Sequence, residues 1–291
     1  MREKRAFTLI ELLVVIAIIA LLLSIIMPAL RKAKEMAAAV VCMSNNASAS
    51  KAWVLYAGDF KGNLMDGDAP RISLDGHETL DSVSVWCFVA CPQTAAGPPG
   101  KTSVEDEIRG LGRGALWEYV GKAAKAYNCP ADKRSIKDST SPGAFFNPGG
   151  YRTFSIVSVL SRLPLMSSGS SATDEYKYVI TKMSQFTSPS SKFVFVEEWD
   201  PRGWNDRTWN VYLNQPPKWF DALAMTHNGA STFGYADGHA ERYKWTGPVT
   251  RVFFNPSNQL DWTINSAPLQ DSKDLDDYNW FVQHYIPGRK K

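Results

Sequence analysis

The feature that most constrains this chain is an unbroken apolar stretch near its N-terminus. The stretch runs from Phe7 to Met27, carries one charged side chain, Glu11, and ends at Pro28. A helix of about 20 mostly apolar residues is long enough to cross the hydrocarbon core of a bilayer. The stretch therefore predicts a membrane helix over about residues 7–27, preceded by the short basic segment 1–6.

Three interpretations of this segment compete. A cleaved signal peptide would have its cleavage site at Ala37-Ala38-Ala39, but the apolar core of such a peptide is usually only about 7–15 residues long. A plain single-pass anchor leaves the Glu11 carboxylate unexplained, since a charged side chain deep in a bilayer costs at least a few kcal/mol. The third interpretation, a resemblance to a known family, explains this carboxylate.

The sequence from Lys4 to Ala20, KRAFTLIELLVVIAIIA, resembles the class III leader of type IV pilins and type II secretion pseudopilins. The resemblance implies that prepilin peptidase cuts between Ala6 and Phe7 and methylates the new amino group of Phe7. Ala6 stands where the family usually has Gly. The resemblance also implies that Glu11 pairs with the N-terminal amine of a neighbouring subunit, which gives a carboxylate in apolar surroundings a partner.

After Pro28 the sequence predicts that the helix continues as a spine over residues 29–57. The run from Ala29 to Ala57 contains no Pro or Gly, and Gly58 follows it as a helix stop. Apolar or small residues recur at spacings of three and four, which is typical of one helix face; they are Met36, Val40, Met43, Ala47, Ser50 and Val54. We expect this stripe to pack on the protein's own sheet, with an intersubunit seam as the alternative.

Residues 58–291 predict a globular α+β head. Lys192–Glu197 is rich in aromatic and β-branched residues, which is typical of a strand. Segments 231–236 and 239–245 flank Asp237-Gly238, a dipeptide typical of a type I′ hairpin turn, and a short helix is expected near residues 114–120. With the resemblance, these segments predict a pilin-like α+β fold, in which a long transmembrane and spine helix packs on a largely antiparallel β-sheet.

A second resemblance runs in patches along the head. Nine residues separate His227 from Asp237-Gly238, which resembles the H-x9-DG pattern of pilin-like proteins abundant in planctomycetes and their relatives. These proteins also tend to have segments like 42–45 (CMSN), 56–59 (YAGD) and 129–132 (CPAD). We expect Asp237 and Gly238 to form the turn, and His227 to brace the entry of the hairpin.

The four cysteines are Cys42, Cys87, Cys91 and Cys129. They form no C-x-x-C pair and have no histidine at zinc-finger spacing, so a structural zinc site is not expected. An even number of cysteines fits disulfides in an oxidising compartment. We predict a Cys42–Cys129 bridge that ties the spine to the head, with Cys87 and Cys91 bridged to each other or free, while other pairings stay open.

Two metal hypotheses follow from clustered donor residues. The resemblance implies a candidate calcium site, since major pseudopilins of the type II system use calcium in the head. The turn-rich loop 59–68 holds four oxygen-bearing side chains, those of Asp59, Asn63, Asp66 and Asp68. Their spacing is not that of an EF-hand, and a solvated turn is the simpler interpretation. A second conceivable group, without a recognised spacing, consists of His227, His239, Glu197, Glu198 and Asp200.

The sequence favours a structural function over an enzymatic one. No G-x-S-x-G, Walker or G-x-G-x-x-G motif is present, so we expect no catalysis and no required cofactor. A net charge of +3 over 291 residues is not the footprint of a nucleic-acid-binding protein. An alternative function is a membrane-anchored protein that binds glycan or protein through tryptophans in a loop-rich segment, which are Trp199, Trp204, Trp209 and Trp219.

The resemblance implies a pseudopilin that is processed by prepilin peptidase and assembled into an envelope filament, with a type II secretion-like system as the expected setting. Its expected partners are other pilin subunits, an inner-membrane assembly platform and membrane lipid. The expected location is the bacterial inner membrane, with one membrane pass and the head in the periplasm.

Overall fold

The computed structural model describes residues 9–67, 88–89, 104–132, 151–160, 175–198, 208–213, 216–254 and 268–288. Its helices are α1 (Leu9–Asp59), α2 (Val104–Leu111), α3 (Pro248–Phe253) and α4 (Ser272–Tyr285). Its strands are β1 (Phe154–Ile156), β2 (Phe193–Glu197), β3 (Val211–Tyr212), β4 (Lys218–Trp219), β5 (Ala230–Tyr235) and β6 (Ala240–Lys244). Short 3₁₀ turns lie at Ala124–Tyr127, Ser158–Leu160, Glu175–Tyr178, Met183–Gln185 and Pro189–Ser191.

The N-terminal helix α1 is continuous over 51 residues. It passes through Pro28 and ends at Asp59, two residues beyond the predicted end at Ala57. A proline in a helix removes one backbone hydrogen bond, but here the helix resumes its course on the other side. One helix thus carries both the predicted membrane segment and the predicted spine.

The face of α1 that packs on the head is not the predicted stripe. Of the six stripe residues only Ser50 is buried, and Met36 and Val40 are 59% and 67% exposed. The observed buried face consists of Ala39, Cys42, Asn46, Ala49, Ser50, Ala52, Trp53, Tyr56 and Ala57. This face is rich in small and polar side chains because the sheet comes very close: a Cβ added to Gly234 would lie 2.2 Å from Ser50 Oγ.

The head is built on a four-stranded antiparallel sheet with the order β1-β2-β5-β6. Strand β2 is buried along its whole length, and a register irregularity lies between Phe193 and Phe195. Helix α1 packs on one side of the sheet. Phe281 of α4 packs on two aromatic residues of the sheet, with ring centroids 4.9 Å from Phe193 of β2 and 6.2 Å from Phe233 of β5. The predicted strands at 192–197, 231–236 and 239–245 are confirmed to within one residue.

The hairpin between β5 and β6 does turn at Asp237-Gly238, but the turn type differs from the prediction. Gly238 N donates to Tyr235 O at 3.0 Å, and Tyr235 N donates to His239 O at 2.9 Å. Gly238 has a φ of +94°, whereas Asp237 is not among the described residues with positive φ. A type I′ turn needs positive φ at both central residues, so the connection is a three-residue loop with only its glycine in the left-handed region.

Two helical predictions need correction. The short helix expected near residues 114–120 lies earlier, as α2, and residues 112–122 form turns in which Gly121 and Lys122 have positive φ. Helix α4 has no counterpart in the predicted elements. The long helix and the antiparallel sheet nevertheless give the pilin-like α+β architecture that the sequence predicts.

Candidate functional site

The N-terminal half of α1 is an exposed apolar surface. From Leu9 to Ala38 no residue of the helix is buried, and Ala39 is the first that is. The large apolar side chains of this segment are between 45% exposed, at Val15, and 78% exposed, at Leu9. By length and composition α1 is able to cross a membrane. A surface this apolar needs a covering, which a bilayer or neighbouring helices supply.

The predicted assembly residue Glu11 lies in the first turn of α1, within the exposed apolar segment. A carboxylate in the first turn interacts favourably with the helix dipole. The predicted cleavage and methylation residues, Ala6 and Phe7, lie outside the described residues, so cleavage and methylation there stay predictions.

The loop proposed for calcium is occupied by local contacts. Asp59 accepts a hydrogen bond from the Tyr119 hydroxyl at 2.9 Å, and Asn63 donates to Phe60 O at 2.8 Å. The backbone carbonyl of Asp66 accepts from Phe88 N at 2.7 Å, and Asp68 lies outside the described residues. Calcium binding in this loop stays a prediction.

Two of the four tryptophans proposed for ligand binding are core residues. Trp209 is fully buried and Trp219 is 3% exposed. Trp209 packs on Phe281 of α4, and Trp219 donates a hydrogen bond from Nε1 to Thr250 Oγ1 at 3.0 Å. The prediction that Trp209 and Trp219 bind a ligand at the surface is therefore wrong. Trp199 and Trp204 lie outside the described residues.

A buried polar cluster lies where α1 meets the sheet. It consists of Cys42 from α1, Cys129 from the turn after Ala124–Tyr127, Glu197 at the end of β2, and His227 from the loop before β5. All four residues are at most 1% exposed. One ligand atom from each lies within 4.8 Å of those of the other three. Four donors from distant parts of the chain thus converge on one point inside the protein.

The imidazole of His227 lies at the centre of this cluster. Its Nε2 is 3.0 Å from Glu197 Oε1 and 3.3 Å from Cys129 Sγ. The thiol of Cys42 donates to the same Glu197 oxygen. The second oxygen of Glu197, Oε2, accepts from Thr232 N at 2.6 Å, which holds the carboxylate with Oε1 facing the cluster. The loop 226–229 presents the imidazole through left-handed φ values at Asn228 and Gly229.

The surrounding residues hold Cys129 in place against α1. Asn45 donates from its side chain to Lys125 O at 3.1 Å and to Asn128 O at 3.0 Å, which fixes the turn that carries Cys129 against α1. Cys129 N donates to Thr153 Oγ1, whose hydroxyl donates to Asp132 at 2.8 Å. The three segments of the second resemblance that contain Cys42, Cys129 and His227 therefore meet in space, which no local spacing could indicate.

Burial and mutual contact shift the pKa values of the cluster. Burial raises the pKa of the Cys42 thiol well above its usual value. The contacts of the Cys129 thiol with Cys42 and with His227 lower its pKa to about 7. Burial alone would lower the pKa of His227, but its hydrogen bonds with Cys129 and Glu197 outweigh burial and raise that pKa to about 10. The cluster therefore favours a thiolate at Cys129 beside a protonated imidazole.

The arrangement does not fit a Cys-His-acid catalytic triad. In a triad the acid binds the imidazole nitrogen opposite the nucleophile, whereas here Glu197 and Cys129 both contact Nε2 of His227. The other nitrogen, Nδ1, is buried without a hydrogen-bond partner among the described residues. A nucleophile also needs access to substrate, and both Cys129 and Cys42 are fully buried.

The predicted disulfide is not formed in this structure. Cys42 and Cys129 are neighbours, as predicted, but both are free thiols. Cys87 and Cys91 lie outside the described residues. The proximity of the predicted pair is thus confirmed without the bond, and the two sulfurs instead share a site with a carboxylate and an imidazole.

The second metal hypothesis from the sequence included two of the four residues of this cluster. It brought together Glu197 and His227, which the structure does place in contact. His239 instead lies at the hairpin turn, 37% exposed, beside Asp237, and Glu198 accepts from Ser155. His227, which we expect to brace the entry of the hairpin, is also a member of the buried donor cluster, and Asp200 lies outside the described residues.

Residues 1–27 match the family model of the prokaryotic N-terminal methylation motif. Comparison of the chain with curated proteins and with solved structures gives no match. The motif and the exposed apolar helix together fit a type IV pilin-like protein. They indicate a membrane-anchored chain that prepilin peptidase processes and that assembles with other pilin subunits.

Proposed function

We propose that this pilin-like chain is a pseudopilin, a structural subunit that is cut before Phe7, methylated there, and lifted from the inner membrane into a filament of a type II secretion-like system. The single observation that carries the proposal is the apolar segment Leu9–Met27, which is exposed on all sides and contains the acidic residue Glu11. In this proposal the head lies in the periplasm and the assembly platform of the inner membrane is a partner.

The chemistry of Glu11 supports assembly over simple anchoring. A membrane anchor needs only apolar length, and an ionised carboxylate works against insertion by a few kcal/mol unless it is paired. In a filament, the new amino group at Phe7 of a neighbouring subunit is a cation of the right charge at the right depth. The ion pair gives each charged group a partner of opposite charge, so it stabilises the assembled filament relative to the isolated subunit.

The first test is the intact mass of the mature protein purified from its own membranes. Loss of residues 1–6 together with the mass of one added methyl group is the expected result. A mature chain that begins near Ala39, as a cleaved signal peptide predicts, or one that keeps Met1, would contradict the proposal.

The second test separates assembly from anchoring with two matched substitutions on α1. Glu11→Gln removes the charge with almost no change of shape, and Glu35→Gln does the same at a surface residue that pairs with Arg31 at 3.4 Å. We expect both variants to be processed and to reach the membrane, and only Glu11→Gln to be absent from the pelleted filament fraction. Normal filament yield from Glu11→Gln would refute the role of this carboxylate.

A further inference from the structure

We propose that Cys42, Cys129, Glu197 and His227 bind a zinc ion that fastens the spine helix α1 to the head. The proposal does not depend on filament assembly. It rests on the geometry, burial and chemistry of the four donors.

The spacing of the donor atoms is close to that of a tetrahedral zinc site. Ordinary zinc bond lengths separate a sulfur and a nitrogen ligand by ~3.6 Å, and a nitrogen and an oxygen ligand by ~3.4 Å. The structure has 3.3 Å between Cys129 Sγ and His227 Nε2, and 3.0 Å between that nitrogen and Glu197 Oε1. These two pairs need to open by only a few tenths of an ångström, while Cys42 Sγ, 2.5 Å from the same oxygen, must move away by about 1 Å.

The direction of the donors is the second argument. Cys129 and Glu197 both face Nε2 of His227, and Cys42 faces the oxygen of Glu197 that points to this nitrogen. A catalytic or purely hydrogen-bonded chain would spread its contacts over both imidazole nitrogens. Here two sulfurs, one nitrogen and one oxygen lie within 4.8 Å of one another, which is close enough for all four to bind one cation.

The charge of the cluster is the third argument. Three acidic groups and an imidazole share a site without solvent access, and an unpaired charge in such a place is strongly unfavourable. A divalent ion in place of the shared protons leaves a net charge of −1 when both thiols and the carboxylate are ionised, the same as in a Cys₃His zinc site. Two thiolates and an imidazole favour zinc over calcium or magnesium, which prefer oxygen ligands.

The site is structural by its construction. The protein supplies four ligands, and all of them are buried, so no open position remains for a water molecule or a substrate. The ligands are far apart along the chain: Cys42 and Glu197 are 155 positions apart, and Cys129 and His227 are 98 positions apart. An ion held by both pairs closes very long loops, and its binding free energy becomes folding free energy.

Zinc content of the purified full-length protein in detergent tests the proposal directly. After exposure to zinc and gel filtration we expect about one zinc per chain in the wild type and less than about a tenth of that in Cys42→Ser and His227→Gln. The matched control is His239→Gln, because His239 lies in the same hairpin but outside the cluster; it should keep its zinc. Circular dichroism checks whether each variant is folded.

A cobalt spectrum of the wild type keeps the proposal testable even if the variants do not fold. Co²⁺ bound in place of zinc should show thiolate-to-cobalt charge-transfer absorption and the intense visible bands of tetrahedral coordination. Wild-type protein without zinc and without these bands would overturn the proposal. So would a Cys42–Cys129 disulfide found by non-reducing peptide mapping of protein from its native compartment, because the bridge removes both thiolate ligands.

Discussion

Substitution of Gly234 tests how closely the spine helix must approach the sheet. Gly234 lies in β5, opposite the buried face of α1. A Cβ at this position would meet Ser50 Oγ at 2.2 Å, Asn46 Oδ1 at 2.4 Å and Asn46 O at 3.0 Å. Side chains in real structures do not come this close, so Gly234→Ala must push the helix and the sheet apart or displace both polar side chains.

The expected effect combines three contributions. Overpacking of a tight contact destabilises a protein by about 1–3 kcal/mol. Displacement of Asn46 also weakens its hydrogen bond to Thr232 Oγ1, 3.3 Å away, at about 1 kcal/mol. Removal of a glycine from a strand returns about 0.5–1 kcal/mol. We therefore expect Gly234→Ala to lower the free energy of unfolding by about 2 kcal/mol, a decrease in Tm of about 4–8 °C for a domain of this size.

The assay is thermal unfolding of the full chain in detergent, followed by the fluorescence of the tryptophans that include Trp53 at the contact. Gly58→Ala is the matched control, because Gly58 lies in α1 and an added Cβ there meets no other part of the protein within 4 Å; this variant should be slightly more stable. Ser50→Ala removes the nearest obstructing atom and should recover part of the loss in a double variant. Equal Tm values for Gly234→Ala and wild type would refute the close approach.

Three further outcomes follow from other contacts. Asp274→Asn weakens the acceptor for Thr250 N and Val249 N at the start of α3. It should therefore lower the free energy of unfolding, measured by chemical denaturation, by about 1–3 kcal/mol, whereas Asp276→Asn, at an exposed residue, should have little effect. Asn45→Ala removes two hydrogen bonds to the turn before Cys129 and should cost about 1–2 kcal/mol, while Ser48→Ala, on the exposed side of α1, should be neutral within about 0.5 kcal/mol. A zinc chelator should lower the Tm of the wild type by several degrees and leave that of Cys129→Ser unchanged.

The parts of the fold that sequence predicts well are those with a local signal. The membrane segment has a run of apolar residues, β2 has a run of β-branched and aromatic residues, and the hairpin has Asp237-Gly238. In each case a few neighbouring residues decide the conformation. The turn type was wrong because the same dipeptide also serves a three-residue loop, in which only Gly238 takes a positive φ.

The parts that sequence predicts poorly depend on contacts between distant residues. No element is predicted from the sequence for the segment that forms helix α4. Its Asp274 and Asp277 are buried as hydrogen-bond acceptors for the start of α3 and the loop before it, and these contacts join segments about 25–30 residues apart. The packed face of α1 was misplaced because Asn46, a polar residue outside the predicted stripe, is buried, whereas the larger apolar side chains of Met36 and Val40 are exposed.

The donor cluster illustrates the same limit in the site. No two of its ligands lie closer than 30 residues in sequence, the separation of Glu197 and His227. Recognised zinc patterns depend on pairs of ligands a few residues apart, so a search by spacing excludes this cluster at once. The patchy second resemblance contained three of the four ligands, and the fold was needed to bring them together.

The unburied length of α1 also determines how far the head stands from a membrane that holds its apolar end. At 1.5 Å per residue, Leu9–Met27 spans ~28 Å, close to the ~30 Å of hydrocarbon in a bilayer. Residues 28–38 then add ~16 Å of helix before Ala39, the first buried residue of α1. This spacer carries Arg31, Lys32 and Lys34, which suit the level of the lipid phosphates. Because α1 is one continuous helix over 51 residues, the spacer sets the distance between the bilayer and the junction of spine and sheet, and a tilt of the membrane segment is carried along the helix to the head.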